Sequence, residues 1–245
     1  EAQAETKVRD ESIEPPVPFD LTTLQREAYA WLRFTPSATL KLAQSLYLDG
    51  LISYPRTSSQ KIPASINPKE IMKKLSRSYS QTKYASRSTP IEGEKSDPAH
   101  PSIYPTGDQA HLREDEQKLY DLIVRRFISC FCQNAEVQRK TITLTAKDKK
   151  FTASASSIRK RGWMHVYPTT LEESQLHDLN GTVSIDKIEI EQKETQPPKR
   201  YTAASLVSIL EKKNLGTKTT RSLIIDILLE RGYLEGSSLK PTPLG

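Results

Sequence analysis

The chain has 245 residues, of which 36% are hydrophobic, and a formal net charge of +6 at pH 7. This length predicts two or three subdomains, and the ordinary hydrophobic content excludes a globally disordered chain. The mild basic excess fits a nucleic-acid-binding surface without establishing one. The two cysteines, Cys130 and Cys132, have a spacing that excludes a zinc finger, and no apolar run approaches transmembrane length.

The N-terminal part predicts an extended segment and then two helices. Residues 1–20 are polar and rich in proline, which favours an extended chain. Thr22 or Thr23 is the predicted N-cap of the first helix, and Ser37 that of the second, which ends before Gly50. The periodicity predicts two inward faces, formed by Leu24, Ala28, Trp31 and Leu32 and by Leu42, Ala43, Leu46 and Tyr47.

Residues 51–57 present a tyrosine on a stiff turn. The apolar start of this stretch predicts a short strand, and Pro55 restricts Tyr54 toward an extended conformation. In an extended segment Arg56 projects to the same side as Tyr54. A phenol beside a guanidinium can attack a phosphodiester while the cation stabilises the charge on the phosphoryl oxygens.

Residues 58–110 favour loops, with a predicted helical piece near 68–75 and a surface loop over 76–97. Three prolines within residues 98–105 predict a rigid turn that carries His100.

A long helix is predicted to begin at Asp108 or close to it. Its apolar residues recur every four positions and predict a buried stripe, formed by Leu119, Ile123, Phe127 and Phe131. We expect Arg125 and Arg126 to form a solvated flank, and the two thiols that follow to be buried.

Residues 135–195 change to a period of two, which predicts an antiparallel β-subdomain. The pattern is clear over 137–155, and we also expect strands that contain Trp163, Val166–Tyr167, Val183 and Ile185–Ile190. Trp163 on a strand could stack on a nucleic-acid base, although core packing is the favoured interpretation.

The last fifty residues predict a linker and two helices. Thr202 is the predicted N-cap of the first, whose buried face we expect to contain Leu206, Val207 and Leu210. The second follows the turn at 215–221, with an apolar face expected at Leu223, Ile224, Ile227 and Leu228 and a stop at Gly232. Threonine hydroxyls lie at its start, together with Lys218 and Arg221. This pattern is equally consistent with an anion-binding site and with a simple capped helix.

Three motifs in order along the chain resemble type IA DNA topoisomerases, most closely the archaeal branch. They are Tyr-Pro-Arg-Thr at 54–57, His-Pro-Ser-Ile-Tyr-Pro-Thr at 100–106 and Arg-Tyr-Thr-Ala-Ala-Ser-Leu at 200–206. Bacterial members carry Arg and Pro where this chain has Thr217 and Lys218, which leaves the role of Thr217 open.

The resemblance implies an α+β fold: a multi-subdomain topoisomerase core with winged-helix-like, α-rich units and an antiparallel β-arch. Residues 1–21 would lead into the β-arch subdomain, and 22–134 would form the α-rich subdomain with the active-site tyrosine. Residues 135–195 would complete the β-arch, and 196–245 would form a second, incomplete winged-helix-like unit. An internal similarity between 43–52 and 225–234 supports two such units.

The resemblance also implies a mechanism. Tyr54 would attack one DNA strand to form a 5′-phosphotyrosyl link, with Arg56 stabilising phosphoryl charge, and ATP-independent religation would relax negatively supercoiled DNA. The implied DNA-binding residues are His100, Thr106, Arg200, Thr202, Ser205, Lys218, Thr219, Thr220 and Arg221.

The metal and the partners follow from the same resemblance. In this family Mg²⁺ is held by a Toprim domain, so we expect no metal ligand in this chain. We expect the chain to be a fragment of a longer protein that contains this domain, and to be inactive without it. The expected partners are DNA, mainly single-stranded, and that Toprim domain, without a membrane. The expected location is the cytoplasm, on the chromosome.

Two other classes of protein stay open. Two winged-helix-like units on a basic chain could form a non-catalytic module that binds duplex DNA with high sequence specificity. A tyrosine recombinase fits less well, because those enzymes need a cluster of Arg and His around a C-terminal tyrosine.

Overall fold

Six helices and six strands form the regular structure of the chain in this computed structural model, which describes residues 1–245. The helices are α1 (Leu21–Leu32), α2 (Pro36–Leu48), α3 (Pro68–Leu75), α4 (Glu114–Ser129), α5 (Ala203–Lys212) and α6 (Arg221–Glu230). The strands are β1 (Ala2–Ile13), β2 (Ala135–Ala146), β3 (Lys149–Lys160), β4 (Gly181–Val183), β5 (Leu234–Glu235) and β6 (Lys240–Pro241). None of the helices has both the length and the apolarity needed to cross a membrane.

The larger sheet is antiparallel, with the strand order β3-β2-β1-β4. One end of it joins the helical core through Ala135 and Val137, which are buried. Val8 and Phe151, farther along the strands, are each 50% exposed. Together with the helices, this sheet confirms the predicted α+β class and the strands expected over 137–155.

Of the strands predicted after β3 in the β-subdomain, only the one at Val183 is present. Trp163 lies in a 3₁₀ turn, Gly162–His165, and is buried with its indole N–H donating to the carbonyl of Ile13 at 3.1 Å. It therefore packs in the core, as favoured. Ile188 and Ile190 are exposed and outside any strand, because β4 pairs with β1 over only three residues and no further strand extends the sheet.

The main core surrounds α4. Its predicted stripe is confirmed, since Leu119, Ile123, Phe127 and Phe131 are all buried. Cys130 and Cys132 are buried free thiols, also as expected, and burial raises the pKa of each to about 12. Their low thiolate population makes them structural residues without nucleophilic reactivity at neutral pH.

The predicted caps of α1 and α2 are wrong by a few residues. The N-cap of α1 is Asp20, whose carboxylate accepts the Thr23 N–H at 2.7 Å while the Thr23 hydroxyl accepts the Asp20 N–H at 3.0 Å. The N-cap of α2 is Thr35, because Pro36 occupies the first helical position, where its missing N–H has no consequence.

The long helix α4 begins six residues later than expected. Asp108 is instead held in a loop by an ion pair with Lys74 at 3.0 Å. The helix begins after Arg113, whose backbone N–H and guanidinium both donate to the carboxylate of Glu116.

The prediction of a solvated Arg126 is also wrong, since this residue is only 5% exposed. Its Nε donates to the carbonyl of Val17 at 2.7 Å, and its guanidinium lies 4.4 Å from the ring of Phe19 and 4.8 Å from that of Tyr167. Arg126 therefore ties the segment before α1 to the segment after β3 by cation–π contacts.

The two C-terminal helices pack differently from the prediction. Thr202 is the N-cap of α5 and Val207 is buried, both as expected, but the other buried residue is Ala204, and Leu206 and Leu210 are only partly buried. In α6 the buried residues are Arg221, Ser222 and Ile225, while Leu223, Ile224 and Ile227 are 37% to 48% exposed. The expected apolar face of α6 therefore faces outward, since the helix packs on α5 and α2 through its other side.

Replacing Asp20 with alanine tests how far the start of α1 depends on this buried carboxylate. Besides capping, Asp20 accepts from Gln60 at 3.1 Å and pairs with Lys95 at 3.2 Å. We expect Asp20→Ala to lower the free energy of unfolding by about 2–4 kcal/mol, because the cap is lost and a buried amide is left unpaired. Thr35→Ala, which removes a single capping bond, should cost about 1 kcal/mol in the same urea titration. Equal losses for the two variants would contradict the wider role of Asp20.

Candidate functional site

Two loops meet side by side after α2, and their pairing positions the candidate site. The N–H of Ser53 donates to the carbonyl of Tyr104, and the N–H of Thr106 donates to the carbonyl of Leu51, both at 2.9 Å. Ile52 and Pro105 form an isolated bridge between these bonds. The expected strand is thus limited to one bridge, because Pro105 has no N–H with which to extend a ladder.

Ser53 adds side-chain bonds to this pairing. Its hydroxyl donates to the carbonyl of Ser102 at 2.9 Å and accepts the N–H of Tyr104 at 3.0 Å. One side chain therefore fixes the register of the two loops immediately before Tyr54.

Tyr54 lies between two other rings. The centroid of its ring is 4.6 Å from that of His100, with the planes tilted by 47°, and 5.3 Å from that of Tyr47 in an edge-on arrangement. Tyr54 and His100 are both partly exposed. The structure thus brings together the predicted nucleophile and the predicted phosphate ligand, which are 46 positions apart in the sequence.

Arg56, two positions after Tyr54, keeps an unpaired donor. Its Nε is buried without a hydrogen-bond partner, although the residue as a whole is partly exposed. A buried N–H without an acceptor costs about 1–3 kcal/mol. An anion that reached Arg56 would remove this cost, which is the behaviour expected of a phosphate-binding guanidinium.

Asp97 organises the start of the His100 loop. Its carboxylate accepts the N–H of Ala99 at 3.0 Å and the hydroxyl of Ser58 at 3.3 Å, and it forms an ion pair with Lys218. The bond from Lys218 holds the pKa of Asp97 well below its usual range. Lys218, predicted as a DNA-binding residue, is therefore linked to the His100 loop by its ion pair with Asp97.

The other predicted DNA-binding residues do not join Tyr54 in one cluster. The Thr106 hydroxyl donates to the carbonyl of Gly50 at 2.8 Å, and Arg221 donates to the carbonyls of Leu215 and Gly216. The remaining four hydroxyls are engaged in the turns that start α5 and α6, and belong to Thr202, Ser205, Thr219 and Thr220. Arg200 is exposed.

Tyr47, Ser53 and Asp97 are parts of the site that the sequence interpretation did not assign. Tyr47 was expected to face inward, but it is 37% exposed and touches Tyr54. A usable signal existed for Asp97, because an aspartate before a proline favours a turn in which its side chain accepts a backbone N–H two residues on.

No group of three or more His, Cys, Asp or Glu side chains in the chain is arranged to hold a metal ion. The residues present therefore do not fit Mg²⁺.

Comparison with known proteins gives the same family at several levels. A sequence model of a DNA topoisomerase family matches residues 2–245. The chain is 43% identical to DNA topoisomerase 1 of Methanothermobacter thermautotrophicus, over 98% of this chain and 35% of that protein. It is 34% identical to DNA topoisomerase 1 of Aquifex aeolicus, over 96% of this chain and 46% of that protein. Full-length topoisomerase I of Thermotoga maritima superimposes with a TM-score of 0.79 at 29% identity, over 98% of this chain and 43% of that chain.

The helical core and the antiparallel sheet have the α+β fold of the Thermotoga structure. The chain belongs to the type IA DNA topoisomerase family. It spans 35% of the length of the Methanothermobacter relative and 46% of that of the Aquifex relative.

Replacing Lys218 with methionine should lower the free energy of unfolding by about 1–3 kcal/mol at pH 7, because the Asp97 carboxylate, whose side chain is only 8% exposed, loses its cationic partner. The lowered pKa of Asp97 means that the ion pair contributes fully above about pH 4, the usual carboxyl range, and progressively less as the pH falls below it. The difference between the two proteins should therefore shrink between pH 5 and pH 2 in urea titrations followed by circular dichroism. The matched control is Lys212→Met, which changes an exposed lysine of α5. A stability difference between Lys218→Met and the unmodified protein that does not change with pH would contradict the ion pair with Asp97.

Proposed function

We propose that this chain carries the cleavage tyrosine and part of the DNA-binding surface of a type IA DNA topoisomerase. The observation that carries the proposal is the contact of Tyr54 with His100 beside an arginine whose Nε lacks a partner. The loops that make this contact hold two of the three family motifs. The Thermotoga relative, which covers nearly all of this chain, is named a topoisomerase I.

In the proposed reaction the phenol oxygen of Tyr54 attacks a backbone phosphorus. A phosphorus–oxygen bond to Tyr54 forms, the bond to the 3′ oxygen breaks, and the tyrosine proton is transferred as the 3′-hydroxyl leaves. The resulting 5′-phosphotyrosine ester keeps the energy of the broken linkage, so religation needs no ATP. Passage of a second strand through the break relaxes negative supercoils.

Arg56 and His100 have separate tasks in this proposal. Arg56 would bind the non-bridging oxygens of the phosphate, where charge increases during attack. The His100 ring would hold the phosphate against Tyr54 and restrict the angle of the phenol. Orientation matters because only a small fraction of a free phenol, whose pKa is about 10, is ionised near pH 7.

The division into units is part of the proposal. We assign 22–134 to the tyrosine-bearing unit, 1–21 and 135–195 to the β-arch, and 196–245 to a second, winged-helix-like DNA-binding unit. The full-length protein would act on chromosomal DNA, binding mainly single strands. We assign Mg²⁺ to a Toprim domain of the same full-length chain, and we derive no step through the metal.

Tyr54→Phe in the full-length protein should abolish the covalent adduct with end-labelled single-stranded DNA and leave the dissociation constant within about twofold, since only the attacking oxygen is lost. Denaturing gels with and without Mg²⁺ measure the adduct, and fluorescence anisotropy measures binding. Tyr47→Phe keeps a neighbouring ring and should still form the adduct. An adduct that persists in Tyr54→Phe would remove Tyr54 from the mechanism, and tight duplex binding without any adduct in the unmodified protein would favour a non-catalytic module.

Arg56→Lys should slow cleavage by about 10-fold to 100-fold, because an ammonium cannot reproduce the planar donors of a guanidinium. Protein stability should not fall, since the substitution removes a buried Nε that makes no hydrogen bond. Single-turnover cleavage and urea unfolding measure the two effects, with Arg26→Lys on exposed α1 surface as the control. Unchanged cleavage kinetics would count against a phosphate role for Arg56.

A further inference from the structure

A second cleft lies away from the Tyr54 site, between α3 and residues 82–88. Its volume is about 550 Å³, and the buried Phe131 is one of its lining residues. None of its lining residues is Tyr47, Tyr54, Arg56 or His100. The cleft therefore needs an explanation separate from the cleavage chemistry.

All charged residues that line this cleft are cations, namely Lys69 and Lys73 from α3 and Lys83 and Arg87 from the opposite wall. None of the three lysines has an acidic partner within 4.0 Å. Glu70, the one acid of α3, instead accepts from Asn67 at 3.3 Å. Cations that face each other across a cleft repel, and a bound polyanion would relieve this repulsion.

Arg87 is already held in position for such a ligand. Its Nε donates to the carbonyl of Cys132 and one terminal nitrogen donates to the side chain of Asn134, both at 2.8 Å. The other terminal nitrogen forms no bond within the chain, so it can donate to an anion without a new loss of side-chain freedom. Beside it, Ser86 accepts from Gln133 at 2.9 Å, which leaves the hydroxyl proton of Ser86 available.

We propose that this cleft is a second nucleic-acid site, which binds the phosphates of one DNA strand while Tyr54 acts on another segment. Cations on both walls match a backbone that carries charge on both sides of its path. Met72, which is partly exposed, lines the cleft and offers an apolar contact for a deoxyribose ring between the phosphates. A lipid surface is too flat to enter a cleft of this kind.

The test compares two triple variants of the full-length protein that lose the same charge, both in a Tyr54→Phe background so that binding is reversible. The cleft variant is Lys69→Gln/Lys73→Gln/Lys83→Gln. The control is Lys150→Gln/Lys187→Gln/Lys193→Gln, which changes exposed lysines elsewhere. Circular dichroism melting establishes that both fold, which is expected because all six lysines have exposed side chains.

The first readout is the number of octathymidylates bound per chain in native mass spectrometry at low salt. The cleft variant should bind one fewer than the control. The second is the salt dependence of binding to a 30-nucleotide thymidylate, whose logarithmic slope should fall by about 2 in the cleft variant, since three phosphate contacts are lost. Equal stoichiometry and equal slopes in the two variants would overturn the proposal.

A competition experiment separates DNA from an acidic protein partner. Polyglutamate of equal charge should displace the octathymidylate from the cleft at least tenfold less effectively than thymidylate does. If polyglutamate displaced the octathymidylate as effectively as thymidylate does at the same concentration, the assignment of the cleft to nucleic acid would be overturned. Because Tyr54 is phenylalanine throughout, these results do not depend on whether Tyr54 cleaves DNA.

Discussion

The pairing of residues 51–53 with 104–106 is the constraint on which the site depends. Two backbone hydrogen bonds and the side chain of Ser53 fix the register of these loops. The loops are otherwise irregular, and the buried side chains of Ile52 and Ile103 attach them to the core around α4. A rigid base with short loops above it is the usual way in which a fold places reactive side chains accurately. The 4.6 Å contact between Tyr54 and His100 is the direct result.

Ion pairs link the C-terminal helices to the rest of the chain, in addition to the packing of α5 on α1 and of α6 on α2. Lys218 pairs with Asp97, and Lys95 contacts both Asp20 at the start of α1 and Glu211 in α5. The carboxylates of Asp20 and Asp97 are 1% and 8% exposed, whereas Lys95 and Lys218 keep 46% and 35% of their side chains exposed. In α6 Ile225 is buried, while Leu223, Ile224 and Ile227 face outward.

Several features that depend on residues close in the sequence were predicted correctly. The stripe of α4, the Thr202 cap, the buried thiols and the strands over 137–155 follow from periodicity, capping and hydropathy. The orientation of α6 and the burial of Arg126 could not be predicted, because each depends on a partner distant in sequence, as Val17 is from Arg126. In the site, the resemblance drew attention to Tyr54 and His100. The contacts of Tyr47 and Ser53 could not be predicted, because they depend on the register of two loops some fifty residues apart, which no local pattern encodes.

The arginines of the chain differ in how many of their donors are bonded within the fold. Arg221 donates to two backbone carbonyls and Arg126 to another, so the fold consumes bonds that a ligand would need. Arg56 instead keeps a buried Nε without an acceptor. Since an unpaired buried donor destabilises the folded state, its retention beside Tyr54 has a physical explanation if an anion supplies the missing acceptor. In the proposed reaction the attacked phosphate would be that anion.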